Sequence, residues 1–364
     1  MTSSAVVRKR RTTIRDVADA AGVSPTTVSF VVNRTAGTSI SEETKTRVLA
    51  AAQELNYRPN AAASVLKTNR SHSIGFVTDS IASNPSTGDI IRGAQNTAWG
   101  FKQLLTIINT DNDSTVEDAG VQMLLERRVD GIIYASISHK HVDPPQSLRE
   151  VPTVLLNCFS RTLPLSNVVP DEVGGGQLAT EILLAAGHRR IGFLNMDLDP
   201  EHPPAKGRLI GYRQALAKYG VSFDSAIVRS GDSFAADGYQ LTLELITSPN
   251  RPTALYCGTD RMAMGAYDAL RDLGLRVPDD VSIVGFDDQH LISSYLRPAL
   301  STVALPYFEM GCLAVELLQS QLPDVSPRDA AHLIASCRYV ERASVKFHAA
   351  HLPVSNREVF TRGP

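Results

Sequence analysis

The chain has 364 residues, which is longer than one average domain and predicts two or three domains. Hydrophobic residues make up 43% and charged residues 20%, as in an ordinary globular protein, and no segment approaches the ~20 apolar residues that cross a membrane. The N-terminus carries charges without a following apolar segment, so no secretory signal is predicted. These features predict a cytoplasmic protein without a membrane partner.

The net charge of −2 is unevenly distributed along the chain. Residues 1–70 hold 11 Lys and Arg against 5 Asp and Glu, a balance of +6, whereas the rest holds 25 against 33, a balance of −8. A basic head on an acidic body is typical of a nucleic-acid-binding module joined to another domain. We expect residues 1–11 to be a disordered basic tail.

Local capping signals predict a helix-turn-helix at residues 13–33. Thr13 begins the first helix with a capping box, and Gly22 ends it in the left-handed conformation that glycine tolerates. Ser24 caps a second helix, and Pro25 occupies its first position, where a missing N–H has no cost. The second helix presents small hydroxyl side chains, which is typical of a helix that contacts the DNA major groove.

A third helix, capped by Ser41, completes the predicted DNA-binding domain at residues 12–58. Its predicted core stripe consists of Val48, Leu49, Ala52 and Leu55. The predicted DNA contacts of the domain are Thr13, Ser24, Pro25, Thr26, Thr27, Ser29, Phe30 and Asn33. The alternative for this segment is a small three-helix bundle that binds no ligand.

Residues 59–70 are predicted to link this domain to the body. Pro59 ends the third helix and can start a new one, but only about two turns follow, too few for a stable isolated helix in water. The residues alone therefore indicate a flexible linker.

In the acidic body, short apolar runs alternate with helical stretches such as 90–100 and 116–127. The runs are 74–77, 105–108, 131–134, 154–156, 191–194, 226–229, 254–257 and 281–285. This alternation predicts parallel sheets with helices on both faces, in two successive halves.

Motifs from Thr13 to about Ser344 resemble those of the lactose-repressor (LacI/GalR) family of regulators. They are 13–33 (TIRDVADAAGVSPTTVSFVVN), 55–66 (LNYRPNAAASVL), 125–133 (LERRVDGII), 186–191 (AGHRRI), 208–212 (RLIGY), 274–288 (GLRVPDDVSIVGFDD) and 302–311 (TVALPYFEMG). The resemblance implies an α/β fold: an all-α helix-turn-helix head and a two-subdomain, periplasmic-binding-protein-like (type I) core with parallel sheets.

The implied effector-binding and dimerisation core spans residues 71–344, followed by a C-terminal tail at 345–364. Subdomain 1 takes about 71–170 plus 304–333, and subdomain 2 takes about 171–303 plus 334–344. Some members of the family form tetramers through a leucine heptad repeat in the C-terminal tail. The segment 342–364 has no such repeat, so the resemblance implies dimers rather than tetramers.

The resemblance also implies that residues 59–68 form a hinge helix that folds on DNA, in the minor groove. Leu66 matches the leucine that wedges between base pairs, an established minor-groove device, and Asn60, Ala63 and Lys67 are further predicted DNA contacts. Phe30 departs from the family, which often has Arg or His there. Arginine can donate two hydrogen bonds to guanine, whereas phenylalanine can only pack, for example on a thymine methyl.

Six residues are candidates for binding a small-molecule effector between the halves, where the strands end. Asp287 follows the strand predicted at 281–285, and its carboxylate can accept hydrogen bonds from two adjacent sugar hydroxyls. The others are Asn157, Arg208 and Thr259, implied by the resemblance, and Tyr307 and Phe234 as stacking surfaces. Phe234 has core packing as its alternative. The segment 84–87 lacks the aromatic pair of many sugar-binding relatives, which argues against a stacked pyranose there.

No catalytic residue, metal or cofactor is predicted. The glycine run at 174–176 resembles a phosphate loop, but it has no GxGxxG or Walker lysine, so helix–sheet packing explains it better. No GxSxG, HExxH or ordered Cys/His pair appears. The four cysteines lie far apart, without zinc-ligand spacing, which predicts buried, reduced thiols: Cys158, Cys257, Cys312 and Cys337.

The resulting hypothesis is a homodimeric repressor of a carbohydrate-use operon, acting at the nucleoid. It binds double-stranded DNA at a near-palindromic operator, and its affinity is controlled by a small-molecule effector, a sugar. The alternatives are a regulator that responds to a purine or nucleoside, a solute-binding module without a regulatory role, and an enzyme fused to a DNA-binding head.

Overall fold

The structure, a computed structural model, describes residues 12–33, 37, 39–58, 70–83, 87–197, 203–322 and 330–347. The chain divides into two compact units, Met1–Ser71 and His72–Pro364. The predicted basic tail, almost all of the hinge segment and most of the C-terminal tail lie outside the described residues.

Among the described residues of the first unit, three helices pack around a small apolar core. They are α1 (Ile14–Ala21), α2 (Pro25–Val32) and α3 (Glu42–Glu54). The buried core residues are Val17, Ala18, Ala21, Val28, Val31, Val48 and Ala51. The predicted head is therefore all-α, with each helix starting at the residue after its predicted cap.

One residue of the predicted α3 core stripe is wrongly assigned. Leu49 is 53% exposed, whereas Val48 and Ala51 are buried and Ala52 and Leu55 are half-buried against the core. The buried positions follow the helical spacing of three and four residues, and Leu49 lies about 100° around the helix from Val48. Its side chain therefore points away from the core.

In the described part of the second unit, the strands form two six-stranded sheets. The first has the strand order β11-β5-β4-β3-β1-β2, and all its neighbours are parallel. Its strands are β1 (Ser73–Thr78), β2 (Leu104–Asn109), β3 (Gly131–His141), β4 (Thr153–Phe159), β5 (Ser166–Pro170) and β11 (His332–Ala335).

The second sheet has the order β12-β10-β9-β8-β6-β7 and is parallel except where β12 runs antiparallel to β10. Its strands are β6 (Ile191–Met196), β7 (Val228–Gly231), β8 (Ala254–Cys257), β9 (Ser282–Asp287), β10 (Ser301–Ala304) and β12 (Arg338–Val340). The chain crosses between the sheets after β5, after β10 and between β11 and β12.

Helices cover both faces of each sheet. Around the first sheet they are α4 (Gly88–Gly100), α5 (Ser114–Glu126) and α11 (Tyr307–Gln321). Around the second they are α6 (Glu172–Ala185), α7 (Pro203–Lys218), α8 (Ala235–Ile246), α9 (Asp260–Asp272) and the short α10 (His290–Ser293). This arrangement confirms the predicted architecture of two α/β halves.

Two strand predictions need adjustment at their ends. Residues Ser225–Ile227 form a short 3-10 turn, so the strand predicted at 226–229 begins only at Val228. The strand predicted at 281–285 extends to Asp287, which is therefore its last residue.

The glycine run at the start of α6 serves packing on two sides. A Cβ on Gly175 would lie 2.7 Å from the Phe286 ring of β9, which confirms the predicted helix–sheet contact. A Cβ on Gly176 would lie 2.5 Å from the Arg208 carbonyl oxygen, so this glycine also brings α6 close to α7.

The four cysteines are unpaired thiols; two are buried and two are half-buried. Within the described ranges, no helix is long and apolar enough to cross a membrane, and no group of three His, Cys, Asp or Glu could hold a metal ion.

Candidate functional site

The caps of the helix-turn-helix form as predicted. Thr13 Oγ1 accepts a hydrogen bond from Asp16 N (3.3 Å), and Asp16 Oδ2 accepts one from Thr13 N (2.7 Å). Gly22 ends α1 with a φ of 64°, in the left-handed region. Ser24 Oγ accepts a hydrogen bond from Thr27 N (3.1 Å). The Ser24 side chain, which is predicted to contact DNA, therefore also caps α2.

The surface of α2 combines exposed and half-buried polar groups with one aromatic ring. Pro25 and Thr26 are exposed, and Phe30 is half-buried. Asn33 Nδ2 donates a hydrogen bond to Ser29 Oγ over 3.2 Å. The surface around α2 therefore carries hydroxyl, amide and aromatic groups. The helix α2 itself contains no basic side chain.

The predicted hinge contacts Asn60, Ala63, Leu66 and Lys67 lie outside the described residues.

In the second unit, a cavity of about 260 Å³ lies where the carboxyl ends of the two sheets face each other. Both sheets contribute to its walls, as expected for ligand sites in open α/β sheets. The lining residues are Thr87, Ile137, Ser138, His139, Asn157, Glu172, Met196, Pro204, Arg208, Ser233, Thr259, Arg261, Asp287, Gln289, Leu305 and Tyr307.

Arg208, from α7, is the most firmly held of the predicted effector residues. Its Nε donates to Glu172 Oε2 (2.8 Å), its Nη1 donates to Gly258 O, and its Nη2 lies 3.6 Å from Asp287 Oδ1. The guanidinium also stacks 3.7 Å above the Phe286 ring. Burial alone would lower the pKa of Arg208, but Glu172 and Asp287 raise it, so the side chain keeps its charge.

Asp287 places a carboxylate at the end of β9, as predicted. Its backbone is in the positive-φ region (φ 102°), and its Oδ2 accepts a hydrogen bond from Gln289 Nε2 over 3.0 Å. Burial raises the pKa of this carboxyl, and Arg208 opposes part of that rise. Asp287 therefore lines the cavity and also faces Arg208.

Asn157 lines the cavity with one end of its amide. Its Nδ2 donates to Ser136 O (3.0 Å) and Ile137 O (3.1 Å), which occupies both amide hydrogens. Asn157 can therefore offer a ligand only its carbonyl oxygen, as an acceptor.

Thr259 also lines the cavity, but its hydroxyl is engaged locally. Its Oγ1 accepts a hydrogen bond from Met262 N and donates one to Ser233 O, each over 3.1 Å. The side chain is thus the N-cap of α9, which explains its position at the cavity without requiring a ligand.

The two aromatic candidates are in different places. Tyr307, at the start of α11, lines the cavity, and burial raises the pKa of its phenol. Phe234 is not a lining residue and is 57% exposed, so its core alternative is wrong. Its ring stacks under Arg261, whose Cζ lies 4.7 Å from the ring centroid, and only Arg261 reaches the cavity.

Sequence reasoning missed several charged or polar lining residues of the cavity: Thr87, Ser138, His139, Glu172, Ser233, Arg261 and Gln289. Glu172 is 5% exposed, and its Oε1 lies 3.7 Å from His139 Nδ1. His139 Nδ1 is buried and has no hydrogen-bond partner among the described residues. Glu172 follows β5 (Ser166–Pro170) closely, but this strand is not among the predicted apolar runs, so the strand-end signal that identifies Asp287 does not point to Glu172. His139 has no comparable signal.

Comparison with known proteins assigns the chain to a family. Residues 13–60 match the bacterial regulatory proteins, lacI family, and residues 180–345 match a periplasmic binding protein-like domain. The chain belongs to the lacI family of bacterial regulatory proteins: it is a DNA-binding transcriptional repressor with an effector-binding core.

Several relatives align over nearly the whole chain. The HTH-type transcriptional repressor PurR of Pectobacterium atrosepticum is 35% identical over 342 residues, 92% of this chain and 96% of that protein. The ribose operon repressor of Escherichia coli K12 is 34% identical over 309 residues, 84% of this chain and 92% of that protein.

Solved structures are also similar to this chain over most of its length. The lac repressor dimer bound to operator and the anti-inducer ONPF is 29% identical, with a TM-score of 0.71 and coverage of 93% of this chain and 100% of that one. Because the relatives are transcriptional repressors, two alternatives are set aside: an enzyme fused to a DNA-binding head, and a solute-binding module without a regulatory role.

Proposed function

We propose that this chain represses a carbohydrate-use operon and that a sugar bound in the cavity controls its affinity for the operator. Two copies of the chain bind the two halves of a near-palindromic site. A regulator of this kind acts in the cytoplasm, at the nucleoid.

The polar character of the cavity supports a sugar. Its described lining offers carboxylates, amides, hydroxyls and guanidiniums, which together can donate to and accept from several ligand hydroxyls. Tyr307 is the one Phe, Tyr or Trp among these lining residues. A purine or nucleoside presents a flat apolar face that favours aromatic stacking, and one such ring is a weak match for it.

Two similar proteins point to the same class of ligand. One is the ribose operon repressor of E. coli, at 34% identity. The other is a transcriptional regulator CelR–cellobiose complex, at 26% identity with a TM-score of 0.62.

An exposed apolar surface supports a homodimer. Trp99, Phe101, Leu104 and Ile107, from the end of α4 and the edge strand β2, are between 41% and 69% exposed. Large exposed apolar side chains close together in the chain are typical of association surfaces. We propose a second copy of the chain as the partner.

The hinge part of the proposal rests on the sequence. Leu66 would wedge between central base pairs, with Asn60, Ala63 and Lys67 contacting DNA beside it. A segment that folds only on binding links the relative position of two subunits to DNA affinity.

The proposal is tested by thermal-shift screening of the full chain against pentoses, hexoses, disaccharides and nucleobases, followed by operator-binding titrations with each hit. Asp287→Ala should lose the shift because it removes the carboxylate at the end of β9. Asp268→Ala removes an exposed carboxylate of α9 that pairs with Arg271 and should keep it.

A ligand at a hundredfold excess over its Kd stabilises the folded state by about 2.7 kcal/mol, enough for a clear shift. The proposal predicts that a sugar gives this shift and changes operator affinity by about fivefold or more. A nucleobase that does both while sugars do neither would replace the sugar with the purine alternative.

A further inference from the structure

One cation of the cavity, Arg261, forms no ion pair with any described residue. It is the second residue of α9 (Asp260–Asp272), and it lines the cavity. Its Nε is buried and has no hydrogen-bond partner among the described residues. An N–H group that is removed from water and has no acceptor is costly, so a ligand that supplies an acceptor is favoured at this position.

The second arginine among the lining residues, Arg208, is already paired. Its Nε binds Glu172 at 2.8 Å, and its Nη2 lies 3.6 Å from Asp287. Burial raises the pKa of Asp287, and Arg261 is among the charges that oppose this rise, so the charge of Arg261 acts on the same part of the cavity without forming a salt bridge there. Among the described lining residues, Arg261 is therefore the guanidinium that remains open to a ligand.

The position of Arg261 is not explained by the stability of its helix. The N-terminus of a helix carries a partial positive charge and favours acidic side chains in its first turn, so an arginine there is unfavourable for the helix. The guanidinium stacks on Phe234, with its Cζ 4.7 Å from the ring centroid, and this ring is 57% exposed. Stacking supports one face of the guanidinium and leaves its edge, where the N–H groups lie, available to an acceptor.

We infer that the ligand of the cavity is an acidic sugar and that Arg261 binds its anionic group, a carboxylate or a phosphate. This inference rests on the proposed function and narrows its ligand class. The fork formed by Nε–H and one Nη–H of an arginine matches two oxygens of either group. The hydroxyls of the same ligand can donate to the Asp287 carboxylate and to the carbonyl oxygen of Asn157, which both line the cavity.

The charges of the lining favour a ligand with two different ends. Glu172 and Asp287 repel an anionic group placed beside Arg208, whereas Arg261 attracts one at the start of α9. A neutral sugar would leave the charge of Arg261 without a counterion. A ligand with hydroxyls at one end and one anionic group at the other satisfies both parts of the cavity.

The test uses the full chain, its Arg261→Gln and Arg261→Lys variants, and a matched control, Arg271→Gln. Arg271 lies on the same helix, is not a lining residue and pairs with Asp268 at 2.9 Å. Each protein is titrated calorimetrically, at constant ionic strength, with glucose, glucuronate and glucose 6-phosphate. The same is done with galactose, galacturonate and galactose 6-phosphate, and with ribose, ribonate and ribose 5-phosphate. The carboxylate and phosphate members distinguish the two sources of the anionic group.

The unmodified chain and Arg271→Gln should bind an acidic member about tenfold or more tightly than the neutral sugar of its series, because charged hydrogen bonds to a buried donor contribute at least that much. Arg261→Gln should lose this preference. Arg261→Lys keeps the charge without the fork, so it should keep only part of the preference.

Two results would overturn the inference. One is an unmodified chain that binds a neutral sugar as tightly as its acidic forms, or more tightly, a result that needs no variant. The other is a preference for the acidic form that stays undiminished in a folded Arg261→Gln protein. If Arg261→Gln does not fold, an undiminished preference in Arg261→Lys has the same meaning.

Titrations with inorganic phosphate and with operator DNA separate the two proposals. If no sugar binds, phosphate binding that Arg261→Gln weakens about tenfold or more supports the anion site while the sugar effector fails. In that case, phosphate binding that is absent or independent of Arg261 overturns the inference as well. If a neutral sugar binds best and changes operator affinity, the sugar-controlled repressor holds and the inference about Arg261 fails. If an acidic sugar binds through Arg261 without changing operator affinity, the inference holds and the proposed function fails.

Discussion

Gly176 of α6 lies against the backbone of Arg208 in α7, so closely that a Cβ at position 176 would come within 2.5 Å of the Arg208 carbonyl oxygen. One turn earlier along α6 is Glu172, whose carboxylate binds the Arg208 side chain at 2.8 Å. The approach of the two helix backbones therefore decides whether the charged pair can form at the cavity.

Gly176→Ala should separate the two helices and weaken both stability and ligand binding. The contact is with backbone, which cannot rotate away, so we expect a loss of about 1–3 kcal/mol in the free energy of unfolding. Urea denaturation measures this, and calorimetry measures ligand affinity. Gly100→Ala is the control because a Cβ there has no neighbour within 4 Å. A Gly176→Ala protein as stable as the control would show that α6 and α7 can shift apart freely.

The Glu172–Arg208 pair should make stability depend on acid pH. The pKa of Glu172 in the folded chain lies below its usual value near 4.5, so its contribution is present above that value and is lost as the pH falls through the lowered pKa. Glu172→Gln should cost about 2–3 kcal/mol at pH 7 and progressively less as the pH falls through the lowered pKa. Urea denaturation at pH 7 and across a series of acid pH values checks this, with Glu181→Gln as the control. A cost that stays constant or grows at acid pH would contradict a lowered pKa for Glu172.

Leu104→Lys should weaken the homodimer. Leu104 is 56% exposed on β2, one edge of the first sheet, and a lysine there would place a charge in the proposed interface. We expect a shift toward monomer in sedimentation experiments and weaker operator binding, with ligand affinity unchanged. Ile334→Lys, on the opposite edge strand β11 and 67% exposed, should leave the dimer intact. Dissociation by the second substitution alone would move the interface to that edge.

Phe30→Arg should change the base preference of the operator. The ring of Phe30 offers no hydrogen bonds, whereas arginine can donate two to a guanine edge, a difference of about 1–3 kcal/mol at one base pair. Selection from a randomised operator library measures the preference. Gln53→Arg adds the same charge at an exposed position of α3 and should raise affinity without changing sequence preference. Identical selected sequences for Phe30→Arg and the unmodified chain would place residue 30 outside the groove.

Leu66→Ala tests the hinge. Removing the wedge should lower operator affinity by about tenfold or more, because the cost of unstacking a base step is no longer offset by apolar contact. Ligand affinity should stay the same, since residue 66 is not among the described residues that line the cavity. Equal operator affinity in a gel-shift titration would count against the wedge.

Local chemistry in the sequence determined the DNA-binding head and the position of one cavity carboxylate. The caps at Thr13 and Ser24 and the turn at Gly22 each involve atoms within a few residues, so the pattern of residue types is sufficient to identify them. Asp287 follows the same logic, because a polar residue at the end of a buried strand lies at the edge of a parallel sheet.

Only the tertiary structure decided which charges meet in the cavity. Glu172 and Arg208 are 36 residues apart in the chain, and their pairing depends on how closely two helices approach at Gly207. Phe234 shows the same limit: its aromatic character suggested stacking or core packing, yet it lies at the surface beside Arg261. The physical reason is that caps and periodicity act over one or two turns, whereas compensation of a buried charge depends on packing between distant segments.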